Sequence, residues 1–189
     1  MHDTCRVVLL PLGAIPTLRP SPHVPSRASG PTRATLMRLS EFLRPDFVLL
    51  HLEARDVRGV VEEVSARAGS VGVAPETVIA EKLLEREELH TTVMGSGLAI
   101  PHATVPGLTQ PVIGVALARD PIAFGPNDTD PVRVFVVLLS PPGFEREHVK
   151  LLARICRLMR HGGFLDQLEA AADDEGIIQV IEAIDSQHA

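Results

Sequence analysis

Two strongly apolar runs, Val112–Ala118 and Val132–Leu139, constrain this chain more than any other feature. Both have strand length and are rich in β-branched residues, so they read as buried strands. Buried strands need cover, and the flanking segments supply it in helical form. Asp56 is placed to N-cap a helix with Val57, Val60, Val61, Val64 and Ala68 on one face, closed by Gly69. Pro75 suits the first turn of a second helix running to about Glu87, with Val78, Ile79 and Leu83 on its inner face. A third is expected over Glu145–Arg160, ended by Gly162 and Gly163. A short helix near Phe164–Ala171 and a last one from about Asp173, with Ile177, Val180, Ile181 and Ile184 in phase, complete the set.

Ahead of these, Leu36–Leu43 reads as a short helix stopped by Pro45, and Phe47–Leu52 as a strand. Thr91–His102 reads as two short extended pieces around a glycine turn. Pro121, Gly125, Pro126 and Asn127 read as a connection. Helices alternating with strands define an α/β fold, a mixed β-sheet flanked by helices in a single-domain sandwich. That domain is expected over residues 36–189. Residues 1–35 differ: Pro11, Pro16, Pro20, Pro22, Pro25 and Pro31 stand among serines and arginines, and the stretch reads as a disordered arm. Met37 opens the patterned region, so translation from an upstream start is open to question.

Composition excludes several classes. The chain of 189 residues carries a net charge of −6 and lacks Trp and Tyr, which speaks against a nucleic-acid partner. Cys5 and Cys156 lie far apart with no pairing pattern, which suits a reducing cytoplasm. No apolar run reaches the roughly 18 residues of a membrane span, so no membrane insertion is expected. Pro11 and Pro16 interrupt the only signal-like stretch. No metal is expected, because neither His-Glu-x-x-His nor Cys-x-x-Cys occurs. Gly95-Ser96-Gly97 lacks the rest of a nucleotide fingerprint, and Ser96 and Ser140 lack a nucleophile-elbow context.

Three residues could carry chemistry. His102 follows Ile100-Pro101, a stiff approach that would hold the imidazole still. A neutral imidazole is a nucleophile near pH 7 and can accept and release phosphoryl. His148 falls four residues before Leu152 on the apolar stripe of its helix, in the first turn, where an anion is favoured. Arg86 ends the Pro75 helix and could neutralise a phosphoryl dianion. Each also has a plainer reading: a loop histidine, a half-buried histidine on a backbone carbonyl, and a surface ion pair. Thr91, Thr92 and Ser96 offer hydroxyls nearby.

Leu83-Leu84-Glu85-Arg86-Glu87 followed by Thr92-x-x-Gly95-x-Gly97-Leu98-Ala99-Ile100-Pro101-His102 resembles the type-2 IIA domain of the bacterial phosphoenolpyruvate-dependent phosphotransferase system. This fructose/mannitol class also holds the nitrogen-regulatory IIA proteins. Pro121–Phe124, Pro131–Val134 and Leu138–Pro142 extend the likeness, which runs from about Arg38 to Ile184. The resemblance implies His102 as phosphoryl acceptor, His148 as second active-site histidine and Arg86 as active-site arginine. Thr92, Gly95, Gly97 and Pro101 would support them. It implies no cofactor, a histidine phosphocarrier protein as donor, and a IIB domain or a regulatory target as recipient. Ser96 and Ala103 depart from the commoner residues of relatives. The chain carries no IIB, IIC or DNA-binding segment, which favours a nitrogen-regulatory role over sugar delivery. A IIA-like binding module without phosphotransfer is the other alternative, opposed by the presence of His102, His148 and Arg86 together.

Overall fold

In the computed structural model, residues 37–125 and 131–187 are described. The expected arm over residues 1–35, and the turn residues Pro126 and Asn127, lie outside them.

The two apolar runs form the centre of the sheet. β5 (Val112–Ile122) and β6 (Val132–Ser140) pair antiparallel, with Val112 opposite Leu139 and Ala116 opposite Phe135. β5 is longer than its apolar run and takes in Pro121. β1 (Leu43–Leu52) lies parallel to β5 at one edge. On the far side of β6 come β3 (Leu98–Ala99) and β2 (Val93–Gly95), giving the order β1-β5-β6-β3-β2. β4 (His102–Thr104) also pairs parallel with β6. It keeps the register of β3, so the two are one line interrupted at Ile100-Pro101. Pro101 has no N–H to give the ladder, yet its carbonyl still accepts from Leu138 N at 2.9 Å. The sheet is mixed, as expected.

Side chains alternate along the strands and feed two cores. Phe135, Val137 and Leu139 pack with Val60, Val61 and Val64 of α1 (Val57–Ser70) and Ile79 and Leu83 of α2 (Glu76–Leu89). Val134, Val136 and Leu138 pack with Leu151, Ile155 and Leu158 of α3 (Glu145–Met159). Phe164 and Leu168 of α4 (Phe164–Glu169) and Ile177, Ile181 and Ile184 of α5 (Asp174–Gln187) complete that second layer. The result is a helix–sheet–helix sandwich. Asp56 caps α1, accepting from Gly59 N at 2.8 Å. Among the described residues, no helix is long and apolar enough to cross a membrane.

The expected helix over Leu36–Leu43 is not formed. A single 3-10 turn, Leu39–Glu41, leads straight into β1, which begins before Pro45. Pro45 is tolerated because β1 is an edge strand, bonded on one side only. At the centre of the sheet, a Cβ on Gly114 would lie 2.4–2.6 Å from the Phe47 ring. Glycine is therefore what lets that ring lie flat on β5.

Candidate active site

The geometry begins at the interruption between β3 and β4. Because Pro101 breaks the ladder, Ile100 presents its carbonyl to the next histidine, and His102 Nδ1 meets it at 2.7 Å. A carbonyl only accepts, so Nδ1 carries the proton and Nε2 keeps its lone pair. Arg86, in the last turn of α2, donates its Nε–H to that Nε2 at 3.0 Å. Its Nη1 donates to the His90 carbonyl at 2.8 Å, which fixes the guanidinium plane against the end of its own helix.

His148 comes from the first turn of α3. Its ring centroid is 5.3 Å from that of His102, with the planes tilted by 51°. Its Nδ1 is 2.8 Å from the Ser140 hydroxyl, at the end of β6. Both rings are half-buried. Burial is the largest influence on each and pushes both imidazoles below the ordinary histidine value. For His102 the Ile100 carbonyl and Glu87 work upward and Arg86 downward. For His148 the neighbouring His102 and Arg86 add to the downward push. Both rings are thus neutral at pH 7. An open cleft of about 330 Å³ exposes them, with Lys82, Arg86, Leu89 and Thr104 on its walls.

His102, His148 and Arg86, distant in sequence, are therefore brought together. The other expected residues fall elsewhere. Thr92 is buried, not in the cleft: its N–H and hydroxyl donate to Glu87 Oε1 and Oε2 at 2.8 and 2.6 Å. Its carbonyl accepts from Ile100 N at 3.0 Å. Thr92 and Glu87 thus tie the end of α2 to the strand that delivers His102. Gly95 and Gly97 shape the β2–β3 turn with φ of 87° and 80°, and Ser96 between them has φ 54°. That turn borders a separate cleft beside Cys156 and Met159. Pro101 is buried between β3 and β4. Two contributors escaped sequence reasoning. Glu87 stands in the sequence only as the helix end and part of the motif, although its five-residue spacing from Thr92 is a usable signal. Ser140 lacks a nucleophile-elbow context, and nothing local in the sequence points to its bond with His148.

A lone-paired imidazole nitrogen, a fixed guanidinium and a second imidazole at an open cleft suit a site that handles an anionic group. Residues 41–184 match the family described as phosphoenolpyruvate-dependent sugar phosphotransferase system, EIIA 2, and the chain belongs to that family. It is a IIA-type component of the phosphotransferase system that leans toward the nitrogen-regulatory branch. It is 34% identical over 146 residues to the nitrogen regulatory protein of Bradyrhizobium diazoefficiens, covering 77% of this chain and 95% of that one. The fold matches the crystal structure of nitrogen regulatory protein IIA-Ntr from Neisseria meningitidis, with TM-score 0.70 and 24% identity over 76% of this chain and 98% of that one. It also matches enzyme IIA-mannitol of Escherichia coli, solved in complex with phosphorylated enzyme IIB-mannitol (TM-score 0.64, 13% identity, 75% and 99% covered).

Proposed function

We propose that this protein accepts phosphoryl on His102 Nε2 from the phosphohistidine of a small histidine phosphocarrier protein, and holds it chiefly as a regulatory signal. The observation that carries this is the pairing of Ile100 O with His102 Nδ1, which leaves Nε2 as the nucleophile beside Arg86. In the step, the Nε2 lone pair forms a bond to phosphorus in line with the donor's P–N bond. That bond breaks, and its electron pair returns to the donor imidazole. Nδ1 keeps its proton and its carbonyl partner throughout. Arg86 turns its N–H groups from Nε2 to the phosphoryl oxygens, and His148 faces the same charge. Thr92, with Glu87, and Pro101 support the loop and strand that hold His102. Gly95 and Gly97 support it from farther off, through the β2–β3 turn.

Donor and recipient would dock over the cleft. Leu89, 72% exposed on the cleft wall, gives that rim an apolar contact beside the two histidines. The proposal sets the protein in the cytoplasm, with the donor. The nitrogen-regulatory relatives favour signalling through phosphorylation state. The IIB-bound neighbour supports a second reading, delivery of phosphoryl to a sugar-specific IIB domain.

The test is incubation with phosphoenolpyruvate, enzyme I and the phosphocarrier protein, read by intact mass. An acid-labile phosphoryl adduct, absent from His102→Ala, is expected. An unlabelled wild type beside a labelled IIA control would sink the proposal. Addition of a IIB domain then separates the two readings, since only sugar delivery predicts rapid loss of the adduct.

A further inference from the structure

Ser140 is 1% exposed, and among the described residues its hydroxyl has one side-chain partner, His148 Nδ1 at 2.8 Å. A hydroxyl has a single proton, and a buried donor left unused costs free energy. The proton is therefore used if the hydroxyl donates to Nδ1, and wasted if Nδ1–H donates to it. Donation leaves Nδ1 bare and puts the proton of the neutral His148 ring on Nε2. His102 has the reverse arrangement, because the Ile100 carbonyl can only accept.

We propose that Ser140 is a positioning residue that holds His148 as the Nε2–H tautomer, opposite to His102, so that one ring offers a lone pair and its neighbour a donor. The backbone supports this. Ser140 pairs with Thr104 in the same β4–β6 ladder that pairs His102 with Leu138. Its carbonyl accepts from Val105 N at 2.8 Å. One ladder thus sets both the nucleophile and the residue that orients its neighbour. A hydroxyl has a further property that a carbonyl lacks. If His148 gains a proton beside a phosphorylated His102, the Ser140 O–H rotates and accepts from the new Nδ1–H, so the contact survives in both states.

The kinetic part of this inference rests on the phosphocarrier reading, whereas the tautomer does not. The experiment is ¹⁵N NMR of the imidazoles in full-length, unphosphorylated protein at pH 7.5, with phosphoryl transfer measured in parallel. Wild type should show His148 protonated at Nε2 and His102 at Nδ1. Ser140→Ala should give a tautomer mixture at His148, with phosphoryl acceptance slowed about two- to tenfold, the span a single neutral hydrogen bond commands. Ser140→Thr should restore both. A wild-type His148 protonated at Nδ1 overturns the proposal with no variant needed. So does a Ser140→Ala protein with unchanged tautomer and rate. The stated tautomers without any adduct on His102 would uphold the assignment and sink only the phosphocarrier reading.

Discussion

Arg86 Nε–H donates to His102 Nε2 at 3.0 Å, so a guanidinium and the imidazole lone pair are joined at the floor of the cleft. The same guanidinium donates to the His90 carbonyl, and this two-point hold needs a planar fork. Lysine can keep the charge but offers no planar fork matched to the two acceptors. Arg86→Ala is expected to slow phosphoryl acceptance by about 10²–10³-fold, the usual loss for one donor to a developing oxyanion. Arg86→Lys should recover only part of it. Single-turnover transfer from the labelled donor protein measures both.

The two histidines should impose a shared pH signature. Their folded values lie below the ordinary histidine value, burial being the leading cause, so between the two values the unfolded chain binds more protons. Stability from this source is complete above about pH 6.5 and falls as the pH drops from there through the folded values. Urea unfolding at pH 7.5 and 5.5 should show a smaller loss in His102→Gln/His148→Gln than in wild type. For the same reason, phosphoryl acceptance should fall in acid at a lower pH than an ordinary histidine would dictate.

The Glu87 carboxylate holds both the backbone N–H and the hydroxyl of Thr92. Hydrogen bonds to a charged, part-buried acceptor contribute about 1.5–3 kcal/mol. Glu87→Ala should lose stability on that scale and also slow transfer, because Arg86 is the preceding residue. Thr92→Val removes one of the two bonds and should cost about 1 kcal/mol. Chemical denaturation alongside the transfer assay separates the effect on stability from that on rate.

On the opposite layer, Arg154 of α3 donates to the Asp185 carboxylate and, through Nη2, to the Asp185 carbonyl at 2.9 Å. Asp185 also accepts from Ser40 N at 3.3 Å, joining α5 to the turn before β1. The pair is 9% and 1% exposed, so Asp185→Ala takes the counter-charge from a buried guanidinium. Asp185→Ala should destabilise by about 3–5 kcal/mol. Arg154→Met/Asp185→Leu should recover most of that, as read by urea midpoints.

Local signals were enough for much of the architecture. Asp56 followed by Val57, Val60, Val61 and Val64 spells a capped helix because cap and periodicity act within a few residues. Val112–Ala118 and Val132–Leu139 are strands because their β-branched residues suit little else. The likeness around Ile100-Pro101-His102 pointed to the histidine that the fold sets against Arg86 and His148. Local signals failed where a partner on another element decides. Pro45 argued for a stop, and only the position of β1 at the sheet edge lets it remain in a strand. The glycines of the motif sat beside His102 in sequence yet shape a turn at a separate cleft.

The sequence by itself therefore determined most of the elements and the layer each face would seek, and it singled out His102, His148 and Arg86, which the fold brings together. Tertiary structure alone decided which nitrogen of His102 keeps its lone pair, that Arg86 rather than a hydroxyl meets it, and that Ser140 bonds His148 and Glu87 bonds Thr92. The reason is physical. Periodicity and capping are short-range, whereas tautomers, ion pairs and hydrogen bonds depend on which groups the packed sheet and helices bring within about 3 Å.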